Sequence, residues 1–171
     1  NLIPAENCHV IHSPLDDLIP FQEGFVLFYV GWYVLIVASL LYFLLFSVQS
    51  FKNLQTYIIV TQILAMVVYI LYPSRQDLRP EVFPRENILT DTVRLLYRID
   101  TNTNVCPSMH VACSLAMASV WGKERGVAKL AKGLVYAAVI LICLSTMFIK
   151  QHSAVDVFAA LMVCLPAEGI V

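Results

Sequence analysis

Residues 25–46, FVLFYVGWYVLIVASLLYFLLF, run for 22 positions without a carboxylate, amine, guanidinium or imidazole. As an α-helix such a run is about 33 Å long, enough to cross a hydrocarbon layer of about 30 Å. That makes lipid the solvent against which the rest of the chain is read. Three further apolar blocks follow, at 57–72, 130–149 and 154–171. A fifth, 107–122, is less apolar because it carries Ser108, His110, Ser114 and Ser119. A lipid-facing surface would not carry those side chains, so this helix is predicted to face other helices. Only 13% of the chain is charged, about half the share usual in soluble domains. The expected fold class is therefore all-α: a polytopic membrane helix bundle with about five transmembrane helices, forming a single domain over residues 1–171.

The chain opens on Asn1 and closes inside an apolar run, Gly169-Ile170-Val171. We read it as truncated at both ends, with a sixth helix expected in the full chain. The opening 24 residues carry Glu6, Asp16, Asp17 and Glu23 and no lysine or arginine, which is unlike a cleavable signal. If each block spans, segments 1–24, 73–106 and 150–153 share one membrane face, and 47–56 and 123–129 share the other. Counting lysines and arginines does not orient the bundle. The arginines of the first face are, however, interleaved with Asp77, Glu81, Glu86, Asp91 and Asp100, and the acidic N-terminal segment has no basic anchor. Both features put the first face outside the cytoplasm. Within it, 86–98 spaces Ile88, Leu89, Val93, Leu95 and Leu96 as an amphipathic interfacial helix, and 15–25 is expected to skim the same surface. Of the five cysteines, Cys8 and Cys106 lie outside the blocks and are the only candidates for a disulfide. A net charge of −1 excludes a basic nucleic-acid surface.

Ionisable groups at membrane depth are costly and mark functional candidates. Three fall on the first face at one depth: His110, one turn into the fifth block, and His152 and Asp156 at the start of the last. Pro107 stands where a helix best tolerates proline, and the amides of Ser108, Met109 and His110 would then be free at a helix N-terminus. Such amides form an anion site, phosphate above all, although an ordinary helix start with a buried histidine has the same sequence. His152 and Asp156 are spaced i, i+4. A carboxylate there can fix the tautomer of the imidazole and leave its other nitrogen as nucleophile or base; a helix-closing pair without chemistry is the plainer reading. A metal held by His110, His152 and Asp156 lacks the usual ligand spacings. Arg75 and Arg79 leave the second block on the same face, Arg79 just before Pro80, and a guanidinium pairs with phosphate in a bidentate, permanently charged way.

These residues resemble the pattern of the type 2 phosphatidic acid phosphatase superfamily: Lys-x6-Arg-Pro, Pro-Ser-Gly-His and Ser-Arg-x5-His-x3-Asp. The middle part stands here as Pro107-Ser108-Met109-His110, with methionine for glycine. The last keeps its full spacing in Ser145, Thr146, His152 and Asp156, with threonine for arginine, and the first keeps Arg79-Pro80 with Tyr72 at the lysine position. The resemblance runs from about residue 25 to the end. Cys106 before Pro107, and Ser145-Thr146-Met147 in place of Ser-Arg, are similar to the branch that contains inositol phosphorylceramide synthases and bacterial relatives.

The resemblance implies a six-helix bundle, with the site at the non-cytoplasmic surface of a bacterial plasma membrane and no metal or other cofactor required. It implies that His152 attacks a lipid phosphate, Asp156 orients it, and His110 protonates the leaving oxygen. Arg79, Arg75 and Ser108 would hold the phosphate oxygens, with Lys150 a further substitute for the absent family lysine and arginine. The expected partners are a lipid phosphate substrate and membrane lipids. Hydrolysis of a lipid phosphate or polyprenyl (di)phosphate through phosphohistidine is the leading expectation. Transfer of the phospho-headgroup to an alcohol acceptor is the second, and a degenerate, non-catalytic lipid-binding protein the third. No paired broken helices or inverted repeat suggest a transporter.

Overall fold

The computed structural model describes residues 4–171; residues 1–3, which hold the expected cut start, lie outside it. The chain is an all-α membrane helix bundle. Among the described residues, three helices are long and apolar enough to cross a membrane: α2 (Val26–Phe46), α3 (Val48–Leu71) and α6 (Lys129–Phe148). Their outward side chains, among them Val34, Leu45, Ile70 and Leu134, are exposed and apolar, as a lipid-facing surface requires. The fifth and last predicted blocks form α5 (Met109–Lys123) and α7 (Ala154–Ile170), of 15 and 17 residues. At the usual rise these are about 23 and 26 Å long, short of a full crossing. Helix α5 runs through the middle of the bundle, against α2, α3, α6 and α7. That position explains its polar residues, since Ser114 is fully buried and returns its hydroxyl to the His110 carbonyl at 2.7 Å. Ala112, Ala116, Ala160 and Ala167 line the core at 0% exposure, and side chains this small let the helix backbones approach closely.

The second crossing starts earlier than expected. Residues 48–56, which lie between the apolar blocks, are helical, and Ser47 alone separates α2 from α3. Gln49, Ser50, Lys52, Asn53 and Gln55 lower the hydropathy of this stretch without opposing a helix, and Gln49 donates to Asn53 one turn on at 2.8 Å.

The alternation of faces holds. On one face the opening segment, 73–106 and 150–153 are stitched together. Strand β1 (His9–Val10) pairs in parallel with β2 (Ser74–Arg75), Gln76 donates to the Lys150 carbonyl at 3.0 Å, and Gln22 N–H donates to Phe148 O at 3.0 Å. On the other face, the hydroxyls of Ser47 and Ser50 both donate to Glu124, and Lys132 reaches the carbonyls of Gly122 and Glu124 at 2.8 and 2.6 Å. All five cysteines are free, so the Cys8–Cys106 disulfide does not form.

The two surface elements are also present. Helix α1 (Pro14–Leu18) starts with a capping box, Ser13 and Asp16 exchanging side-chain and backbone bonds. Helix α4 (Ile88–Ile99) starts at Asn87 in the same way with Thr90. Leu89, Val93 and Leu96 pack onto Val26, Tyr29 and Ile149, while Ile88, Leu95 and Ile99 face outward. Two apolar stripes on one helix fit an element that rests on protein with one side and on lipid with the other.

Candidate active site

The site grows from the turn between α6 and α7. Lys150 takes a left-handed conformation (φ 55°), which folds the chain back so that the amides of Gln151 and His152 both donate to Thr146 O at 2.9 and 3.0 Å. Ser153 caps α7, and the Asp156 carboxylate accepts from the Ser153 amide at 2.9 Å, closing a capping box. The same oxygen, Oδ2, lies 3.2 Å from His152 Nδ1. The pairing therefore differs from the helix-face geometry expected of i, i+4: His152 precedes the cap, and the capping box delivers the carboxylate to it. A carboxylate on Nδ1 holds the proton there and leaves Nε2 as the free lone pair. His152 is 8% exposed and Asp156 fully buried. The Cys106 thiol lies beside that carboxylate; burial first, and the Asp156 charge second, push it up to about 12, so it stays a thiol.

A second carboxylate, which nothing in the local sequence marks, finishes this turn. Asp16, 3% exposed, accepts from the Ser153 hydroxyl at 2.5 Å, from the Ala154 amide at 2.8 Å and from the Ser13 amide at 2.8 Å. The α7 N-terminus is thus satisfied by two acids of the chain itself.

Helix α5 meets it head to head. The Ser108 amide donates to the Asp156 carbonyl at 3.1 Å, and the buried Ser108 hydroxyl oxygen caps α5 by accepting from Val111 N–H at 3.4 Å. This junction brings the rings of His110 and His152 to 6.1 Å between centroids. His110 Nδ1 lies 3.4 Å from the Tyr29 hydroxyl, and its ring packs on Trp32 at 4.5 Å. His110 Nε2 is buried with no hydrogen-bond partner among the described residues.

Arg79 reaches the same neighbourhood through Gln151. It donates to the carbonyls of Tyr97 (2.9 Å) and Asp100 (2.7 Å) and to Gln151 Oε1 (2.6 Å), and stacks over the Tyr97 ring at 4.4 Å. Burial pushes its pKa down from the ordinary value, but a guanidinium stays charged at any working pH. Three of its five donors are engaged, and Nε is buried without a partner among the described residues. Arg75 pairs with Asp77 at 3.2 Å and sits in β2, bridged to Thr103. Lys150 turns elsewhere. Its ammonium donates to the carbonyls of Asp16 (2.7 Å) and Ile19 (2.5 Å) at the end of α1, where orphan carbonyls attract a cation. Tyr72, where the pattern this chain resembles has lysine, stacks on His9 at 4.1 Å. Thr146, at the arginine position, returns its hydroxyl to Cys143 O at 2.8 Å.

Lys150→Met is accordingly expected to loosen the opening segment rather than substrate binding. Two charge-assisted bonds of about 1–2 kcal/mol in sum correspond to roughly tenfold faster cleavage within 4–22 in limited proteolysis. A rise in KM for a lipid phosphate with unchanged proteolysis would contradict this.

Tyr29, Asp100 and Gln151 also went unread. Tyr29 donates to Asp100 Oδ2 at 2.9 Å, and Gln151 Nε2 donates to the same oxygen at 3.1 Å. The one available signal was that Gln151 adjoins His152; a tyrosine inside an apolar span carries none.

No protein-family model matches the chain, and no curated protein matches it. Among solved structures it is similar to the crystal structure of LpxE from Aquifex aeolicus, with a TM-score of 0.61 and 20% identity, over 94% of this chain and 86% of that one. The likeness concerns the fold, and agrees with a membrane helix bundle.

Proposed function

We propose that this single domain is an integral membrane phosphatase that hydrolyses a lipid phosphate, or a polyprenyl (di)phosphate, through a phosphohistidine. The observation that carries the reading is the buried His152–Asp156 pair, which supports Nε2 as the nucleophile by leaving its lone pair free, with the His110 ring 6.1 Å away across a head-to-head helix junction. In the forward step Nε2 bonds to phosphorus as the bond from phosphorus to the leaving oxygen breaks. His110 Nε2–H gives that oxygen its proton, so the first product leaves as an alcohol or, from a diphosphate, as the monophosphate. Asp156 offsets the positive charge that grows on His152. Water then attacks the phosphohistidine, and neutral His110 takes its proton. Inorganic phosphate leaves, and both imidazoles are restored.

The residues left to bind phosphate are Arg79, whose Nε has no partner among the described residues, and the start of α5, where the amides of Met109 and His110 stand in the first turn, without intrahelical acceptors. Arg75 contributes charge from β2. Ser108 contributes by holding the helix start, and Lys150 by holding α1. Such a site works through positioning and charge stabilisation. Its placement on the non-cytoplasmic face of a bacterial plasma membrane follows from the charge pattern and the family resemblance. The same intermediate would serve a phosphotransferase if an alcohol replaced water, a reading that Thr146-Met147 favours through its similarity to the synthase branch.

The test is phosphate release by the purified protein in detergent, with EDTA present, from phosphatidate, a polyprenyl diphosphate and phosphatidylglycerol phosphate. Release from at least one of them is expected. A folded protein that releases none, but transfers phosphate to an added lipid alcohol, would replace hydrolysis with transfer.

A further inference from the structure

We infer that Tyr29 and Asp100 are positioning residues that set the protonation of His110. The inference rests on the proposed phosphatase reading and adds to it a relay reaching from the fourth helix, through the second, to the fifth.

Tyr29 has no exposed surface, and its hydroxyl has one proton to give. That proton goes to Asp100 Oδ2, at 2.9 Å. The carboxylate is held in place by Gln151 Nε2 at 3.1 Å, and the Asp100 carbonyl by Arg79 at 2.7 Å. With its proton committed, the Tyr29 oxygen can only accept from His110 Nδ1, 3.4 Å away. An unprotonated Nδ1 there would set two lone pairs against each other. Nδ1 must therefore carry a hydrogen in every state of the ring. The exchangeable proton is confined to Nε2, the nitrogen buried without a partner among the described residues.

Two consequences follow for an acid. The proton that His110 gives up leaves from a single, fixed direction. The imidazolium, when it forms, is stabilised through Tyr29 by the Asp100 carboxylate, with the Tyr29 and Trp32 rings packed on it at 4.4 and 4.5 Å between centroids. Asp100 does not touch His110 and acts only through the tyrosine. Because Arg79 and Gln151 grip the same residue, the arm that holds phosphate and the arm that supplies the proton share one support.

A residue that serves an acid matters most when the leaving group is poor, which separates this role from a purely structural one. Tyr29→Phe and Asp100→Asn would be compared with the unaltered protein on two substrates. These are a long-chain alkyl phosphate and an alkyl-nitrophenyl phosphate of similar length, read as alcohol or phenol released in the first turnover. Each variant is expected to lose roughly 10–100-fold on the alkyl ester, with KM nearly unchanged, and less than about threefold on the nitrophenyl ester, whose leaving group needs no proton. Equal losses on both esters, or no loss on either, would overturn the inference. His152→Ala is run alongside as a separate arm. Turnover that survives in it would remove the phosphohistidine reading itself, whereas its silence with no leaving-group effect in the other two variants would remove the relay alone.

Discussion

His152→Ala is expected to abolish phosphate release from every substrate the unaltered protein accepts, with a loss of at least about 10³-fold and no change in the folded bundle. The size of the loss follows from the role. Removing a covalent nucleophile deletes a pathway rather than weakening a contact, and what survives is the catalysis that binding and charge stabilisation give to water. The imidazole hangs from a turn fixed by backbone bonds to Thr146, so alanine leaves the helix start and the Asp16 contacts in place. The direct readout is the intermediate. Quenching a reaction with radiolabelled lipid phosphate should trap label on the unaltered protein in an acid-labile, alkali-stable bond, as a phosphoramidate requires, and none on the variant. Label that survives acid would point to a hydroxyl or carboxylate nucleophile and sink the assignment.

Asp16→Ala carries the second large effect, on stability and activity together. It strips the partner from the buried Ser153 hydroxyl and the Ala154 amide at the start of α7. Each buried donor left unpaired costs about 1–3 kcal/mol, so a loss of about 3 kcal/mol is expected. The thermal midpoint of the detergent-solubilised protein should fall by roughly 6–12 °C. Because Ser153 lies between His152 and Asp156, kcat should fall as well. Asp17→Ala is the control: Asp17 is exposed and its side chain pairs with the exposed His12, away from the start of α7, and its loss should move neither quantity. Equal small effects of both variants would show that Asp16 is an ordinary surface acid.

What could be read in the sequence divides along a physical line. The apolar blocks, the alternation of faces and the amphipathic α4 depend on local composition and periodicity, so they were accessible from the residues. The start of α3 was missed because a polar stretch can be helical without being hydrophobic. His110, His152 and Asp156 stood out because ionisable groups are rare at membrane depth. Tyr29 and Trp32 did not stand out, because aromatic side chains are ordinary there and only the partner across the bundle distinguishes them. Lys150 is a different case. A cation next to His152 invites a role in phosphate binding, yet its ammonium is held by two carbonyls of the opening segment. The contacts that decide such cases join residues 71 to 134 positions apart, and no short window along the chain contains both ends.

That separation also has a meaning in time. Asp16 and Ser153 are 137 residues apart, and a ribosome adding about 5–20 residues per second needs on the order of 10 s to make the stretch between them. During that interval α2, α3, α5 and α6 are made in turn, and the acid that caps α7 is without its partner until the end of it. The turn that carries His152 therefore becomes whole only once α7 has been made, and a nascent chain that stalls before then has no assembled His152–Asp156 pair to expose to the lipids around it.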